Sequence, residues 1–220
     1  MKRVINLDNW NRKEHFKFFS ALDDPFWGIT TTVDFTSIYQ QSKNMEVSFF
    51  LYSVHFLLKC INATTAFKLR IENGEVVEYD KINISPTIGR EDGTFGFGFF
   101  EYDTDLSLFI ENAEKEIHRV KNSAGLSFSK DTARADVIRY SALPWFAFSE
   151  MKHAGSIQTG DSIPKISTGK LIQEKKKLLL PISISVHHGL VDGRNVAEFI
   201  QNVKDGQNNT LWYDCSLFLF

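Results

Sequence analysis

Three observations predict a two-layer mixed α/β sandwich. Strand-like and helix-like stretches alternate along the chain, without the regular strand-helix-strand period of a doubly wound fold. The apolar run Leu178 to Val186 has the length of a buried strand, and Asn73-Gly74 between two alternating runs is a strong hairpin signal. A layer of helices on one mixed sheet accommodates all three.

Composition sets the outer bounds. With 220 residues, 43% hydrophobic content and 20 phenylalanines, the chain can bury a substantial core. No Pro/Gly/Ser-rich linker divides it, so one domain over residues 1–220 is expected, with an aromatic tail from about residue 206. A formal net charge of -2 and a sequence pI near 6.3 lack the basic footprint of a nucleic-acid or anionic-membrane binder. Cys60 and Cys215 have no CxxC spacing, which argues against a disulfide framework or zinc knuckle. The N-terminal MKRVINLDNW lacks an apolar signal core and no run of 18 apolar residues occurs, so a cytoplasmic location is expected.

Taken in order, Asp8 or Asn9 can cap a helix from about Trp10 to Phe19, in which Arg12, His15 and Phe16 share a face. Trp27 to Phe35 has the β-branched density of a strand. Met45 to Asn62 reads as a helix buried over most of its circumference, with His55 a satisfied core or interface histidine. Phe67 to Glu72 and Glu75 to Asp80 form the hairpin around Asn73-Gly74. Thr94 to Tyr102 alternates Phe with Gly, as a pocket wall or a bulged core strand would. Asp103 to Lys121 is an amphipathic helix started by Asp103 or Thr104, with Leu106, Phe109, Ile110, Ala113 and Ile117 inward.

Asn122 to Ala135 reads as a loop. In Val137 to Phe148, Pro144 places the strand at an edge, a bulge or an interface. Met151 to Lys170 reads as a loop, and its GDSIPKISTGK lacks the order of a phosphate-binding loop. Lys175-Lys176-Lys177 reads as a solvated turn before the strand Leu178 to Val186. Gly193 to Asp205 closes the pattern as a helix, followed by the aromatic tail Leu211 to Phe220.

Chemistry concentrates in His187-His188-Gly189-Leu190-Val191-Asp192-Gly193 at the end of that strand. Neutral imidazole has an ordinary pKa of roughly 6.5, so it can take a proton from a hydroxyl near neutral pH, provided its tautomer is fixed. Asp192 could orient the site directly or by holding a cation. His187, His188 and Asp192 as metal ligands are a second reading, weakened because adjacent residues on a strand point to opposite faces. Histidines satisfied in a core are a third.

The pattern resembles the type-A chloramphenicol O-acetyltransferases, within the wider set of CoA-dependent acyltransferases that share HHxxxDG. The likeness rests on NWxRxxHF at Asn9 to Phe16, SALPW at Ser141 to Trp145, LLLPxSxxVHH at Leu178 to His188 and DGxxVAxFI at Asp192 to Ile200. It implies the sandwich of that acyltransferase type, assembled as a homotrimer with active sites between subunits. It implies acetyl-CoA as co-substrate, a small acceptor alcohol such as chloramphenicol, and no metal. His188 corresponds to the general base, Ser141 to the hydroxyl that stabilises the oxyanion, and Asp192 with Arg12 to a buried ion pair that shapes the loop. Phe19, Phe95 and Ser167 fall where the acceptor pocket lies, and Trp145 near the CoA channel. The chain departs from the common HHAVCDG at Gly189, Leu190 and Val191. It also has Phe19 for tyrosine, Ser167 for threonine, and Arg139 for a small polar residue. A non-enzymatic, ligand-binding trimer of the same fold is the alternative.

Overall fold

A computed structural model of the protein describes residues 1–155 and 160–209. The aromatic tail from Leu211, with Cys215, lies outside the described residues. The architecture is a mixed seven-stranded sheet covered on one face by helices, with a small three-stranded antiparallel sheet beside it.

The small sheet joins β1 (Lys2–Val4), β3 (Leu69–Glu72) and β4 (Glu75–Tyr79) in the order β1-β4-β3. The hairpin expected at Asn73-Gly74 forms, with φ of 52° and 82° at the two turn residues, the positive values a type I′ turn needs. Arg70, fully buried, ties this sheet to the large one by donating Nε to Ala135 O at 2.7 Å and Nη2 to Val137 O at 2.7 Å.

The large sheet comprises β2 (Phe26–Asp34), β5 (Asn83–Gly89), β6 (Phe95–Phe97), β7 (Val137–Ala142), β8 (Lys165–Thr168), β9 (Ile172–Glu174) and β10 (Lys177–His187). Its order is β2-β10-β8-β7-β5-β6, with β9 added to β10. β7 runs parallel to both β5 and β8, and the remaining pairs are antiparallel.

Side chains alternate between the two faces of a strand, and here the faces differ sharply in chemistry. One carries Ile84, Ile138, Ile166, Ile182, Ile184 and Val186 into the core. Over it lie α2 (Thr36–Asn44), α3 (Phe49–Ala63), α4 (Leu106–Lys121) and α5 (Gly193–Asn209). The other face carries Thr87, Arg139, Ser141, Lys165, Ser167, Ser183, Ser185 and His187, by the strand registers. Several of these polar residues are nonetheless buried: Ser167 is 0% exposed, Ser183 2% and Lys165 6%.

Several expectations need correction. The first helix, α1 (Lys13–Ser20), begins later than Trp10, and the preceding 3₁₀ turn is capped by Asn6, whose side chain accepts from Asp8 N. α2 follows β2 directly, and Asp34 fixes its first turn by accepting from Thr36 N at 3.0 Å and Oγ1 at 2.6 Å. The cap of α4 is Asp105, accepting from Ser107 N and Leu108 N, not Asp103 or Thr104. β7 is interior and not an edge, because Pro144 lies past its end. The segment read as a loop, Met151 to Lys170, contains the central strand β8. The glycines of Thr94 to Tyr102 make room for protein and not for a ligand: a Cβ on Gly96 would meet Ser127 Oγ at 2.5 Å and Arg90 Nη2 at 2.6 Å. His55 is a core histidine as expected, 5% exposed with Nε2 2.8 Å from Asp103 O.

Candidate active site

Four elements converge on His188. It is the residue after β10, where the strand turns toward α5, and its N–H donates to Pro25 O at 2.8 Å. Leu190 N and Val191 N both donate to His187 O at 3.0 Å, closing the turn. Trp27, on β2, donates Nε1 to Val191 O at 3.0 Å. Arg12, just before α1, donates Nη2 to His188 O at 3.3 Å and pairs through Nη1 with the Asp192 carboxylate.

Asp192 has a second task that the motif does not announce. Its Oδ1 accepts from Arg194 N at 2.9 Å and Asn195 N at 3.2 Å, capping α5. Burial raises its carboxyl pKa, but the Arg12 guanidinium and these backbone donors outweigh it and hold the group below the usual range. The pair is half-buried, with Arg12 17% and Asp192 33% exposed, and so is not the buried pair the resemblance implies. It lies at the rim where the loop meets α1.

The two imidazoles diverge. His188 lies on Phe19, ring centroids 3.9 Å apart and planes 14° from parallel, and 5.4 Å from the Trp27 ring. Its Nδ1 is buried without a partner among the described residues, so Nε2 is the nitrogen left to meet a reactant. His187 turns to the polar face, edge-on to Phe26, and its Nδ1 accepts from Gly189 N at 3.2 Å. Burial pushes its pKa down to about 4, opposed by the Asp161 carboxylate and reinforced by His188. His187 is thus a neutral structural imidazole. Among the described residues no group of three or more His, Cys, Asp or Glu could hold a metal ion.

Ser141 sits on β7 with its hydroxyl already oriented: Thr87 Oγ1 donates to Ser141 Oγ at 3.1 Å, leaving the serine proton free for another acceptor. In register, Ser141, Ser167 and Ser183 form a row across β7, β8 and β10. His188 lies five residues beyond Ser183, roughly 16 Å along the strand. One chain therefore does not bring His188 and Ser141 together.

The other candidates scatter likewise. Phe19 is with His188. Ser167 is fully buried, and its hydroxyl is covered by His153, whose Nε2 is 3.0 Å away. Phe95 is half-exposed on β6, four strands from β10, and packs edge-on with Phe97. Trp145, 73% exposed just past β7, lines an apolar cavity of about 400 Å³ with Phe49, Phe50, Thr87, Tyr140 and Leu180.

A larger cavity, about 680 Å³, opens on the polar face and is lined by Phe26, Trp27, His153, Lys165, Ser185 and His187 among others. His153 and Lys165 were not among the sequence candidates. The alternation Lys165-Ile166-Ser167-Thr168 is the signal that could have placed Lys165 on this face. Cys60 offers no nucleophile, because burial pushes its thiol up to about 12.

Comparison with known proteins bears on this arrangement. The family model described as chloramphenicol acetyltransferase matches residues 2–204. Chloramphenicol acetyltransferase 3 of Escherichia coli is 27% identical over 208 residues, covering 94% of this chain and 97% of that protein. A chloramphenicol acetyltransferase of Clostridioides difficile is 28% identical over 205 residues, covering 91% and 93%. A solved chloramphenicol acetyltransferase structure superposes with a TM-score of 0.86 at 30% identity, covering 93% of this chain and 99% of that one. A probable dihydrolipoamide acetyltransferase from Listeria monocytogenes shares the fold, with a TM-score of 0.68 at 13% identity. The histidine pair, the Arg12–Asp192 link and the mixed sheet beneath them thus occur in a chain matched almost from end to end, and it belongs to the chloramphenicol acetyltransferase family of acyltransferases.

Proposed function

We propose that the protein is an acetyl-CoA-dependent O-acetyltransferase acting on a hydroxyl of chloramphenicol or a related small alcohol. The observation that carries the reading is the setting of His188, an imidazole held flat on Phe19 with its main chain pinned by Pro25 and Arg12. A base so restrained loses little orientation when a reactant arrives.

In this mechanism His188 Nε2 takes the proton of the acceptor hydroxyl as its oxygen attacks the thioester carbonyl carbon. The tetrahedral oxyanion receives a hydrogen bond from Ser141, whose proton is left free by the Thr87 donation. Collapse breaks the carbon–sulfur bond, the thiolate recovers the proton from the imidazolium, and acetyl ester and free CoA result. The apolar cavity beside Trp145 suits the thioester arm of CoA, placing the acetyl group near Ser141. His188 and Ser141 act together only if they come from different copies, so we place each site between two subunits of a homotrimer.

Release of thiol from acetyl-CoA in the presence of chloramphenicol tests the reading. Release that depends on both acceptor and His188 supports it. No release with chloramphenicol or with any of a panel of alcohols overturns it.

A further inference from the structure

The polar face that carries Ser141 holds a buried cation that the proposed chemistry does not use. Lys165 stands one strand over, paired in register with Arg139, and its side chain is 7% exposed. Its Nζ lies 3.1 Å from an Asp161 oxygen and 3.9 Å from the centroid of the Phe26 ring. Both neighbours line the large cavity. Gly155 helps to leave that space open, since a Cβ there would come within 3.2 Å of the ammonium.

Lys165 and Asp161 form a buried pair, each side chain 7% exposed, and the ammonium has donors to spare. Asp161 is shared, because its Oδ2 also accepts from Arg139 Nη1 at 2.9 Å. Arg139 is half-exposed and reaches that carboxylate from outside the cavity lining. The remaining charged lining groups, Asp24, Glu150 and Lys152, are exposed at the rim and screened by solvent. The carboxylate takes one of the ammonium's three donors, and a second oxyanion on the cavity side would complete its shell. His153, also lining the cavity and held by Ser167, adds a hydrogen-bonding edge.

We infer that the acceptor is an alcohol bearing a carboxylate, with the carboxylate bound by Lys165 and the hydroxyl presented near Ser141. The substrate role of this molecule rests on the O-acetyl-transfer reading above; its binding to Lys165 does not. Because Lys165 pairs with Arg139, Ser141 lies two residues further along the adjacent strand, roughly 8 Å away between Cα atoms. Both side chains leave the same face of the sheet. Chloramphenicol, a neutral molecule, leaves the ammonium as it is.

The test is calorimetric titration of the full chain with 4-(hydroxymethyl)benzoate and with its neutral methyl ester. The acid is expected to bind more tightly than the ester by about 10-fold or more, and Lys165→Met to weaken the acid alone by about 10- to 100-fold. Lys165→Arg should restore most of that loss. Lys165→Met leaves Asp161 paired with Arg139, and a melting curve checks its folding. If it does not fold, the acid-to-ester comparison in the wild type and in Lys165→Arg decides. Equal binding of acid and ester, or an acid preference that Lys165→Met leaves untouched, overturns the inference. Thiol release is followed in parallel: acid binding through Lys165 without release from any acceptor, chloramphenicol included, refutes O-acetyl transfer while the ligand class stands.

Discussion

The His188 imidazole lies flat against the Phe19 ring, with 3.9 Å between centroids and 14° between planes. Stacking of this kind is worth about 0.5–1.5 kcal/mol beyond burial, and here it holds a ring whose Nδ1 has no hydrogen-bond partner among the described residues. Phe19→Leu should therefore lower kcat for acetyl transfer by about 3- to 10-fold while leaving KM for acetyl-CoA unchanged. Phe19→Tyr, which keeps the ring, should stay near the wild-type kcat. Steady-state thiol release measures both variants; a Phe19→Leu enzyme with full kcat would show that the stack does not position the base.

Thr87 and Ser141 form a relay with one direction. Because Thr87 donates to Ser141, the serine proton is free for an oxyanion. Ser141→Ala should reduce kcat by about 10²-fold, the typical loss for one such donor. Thr87→Val should cost about 10-fold, since the serine keeps its proton but loses the bond that aims it. The same assay compares the two, and an equal loss in both would place Thr87 in direct contact with the reacting atoms.

Arg12→Ala separates the two partners of Asp192. The carboxylate keeps its bonds from Arg194 N and Asn195 N and is one-third exposed, so the loss should be about 1–2 kcal/mol and not that of a fully buried pair. For a chain of this size that lowers the melting temperature by about 2–8 °C. Since the Asp192 pKa is depressed, its contribution is present above the ordinary carboxylate range and is lost as pH falls below about 4. Melting curves at pH 7 and pH 3 should thus show the wild type and Arg12→Ala converging in acid.

The features legible in the sequence are those with local periodicity. Leu178 to Val186 announces itself by its density of apolar residues, interrupted only at Ser183 and Ser185, and Asn73-Gly74 by the φ values its turn requires. β8 is hidden because Pro164 and Gly169 bracket four residues, of which Lys165 and Ser167 point away from the core. Pro144 misleads for a related reason: it follows β7 instead of interrupting it. The link between Arg12 and Asp192 spans 180 positions and came from the resemblance, not from any pattern near either residue. His153 carries no signal at all, a single histidine in a polar segment. The distance between Ser141 and His188 is a matter of register across three strands, which no local pattern encodes.

His187 sets the acid limit at a higher pH than Asp192. Its pKa is pushed down to about 4, so the folded chain refuses a proton that the unfolded chain takes near pH 6.5. Stability is full above pH 6.5 and declines toward pH 4 at about 1.4 kcal/mol per pH unit, about 3 kcal/mol in all. His55 and His153 are shifted in the same direction, each chiefly by burial, and add to the slope. His187→Asn retains an acceptor for Gly189 N but cannot titrate. Melting temperatures measured from pH 7.5 to 4.5 should fall less steeply in this variant; an unchanged slope would assign the acid loss to other groups.

The separation of His188 from Ser141 within one chain leads to a test that needs no structure of the assembly. His188→Ala and Ser141→Ala should each be nearly inactive alone. Co-expressed with different tags and purified as mixed assemblies, they should recover activity, because some interfaces join the intact His188 of one copy to the intact Ser141 of another. Every mixed trimer, whether two to one or one to two, has one interface of three that joins an intact His188 to an intact Ser141, so about a third of the sites should be whole. Recovery must also require assembly: mixing the two purified homo-oligomers under conditions that prevent subunit exchange should restore nothing. A site built within a single chain gives no recovery in either case, since no copy carries both residues.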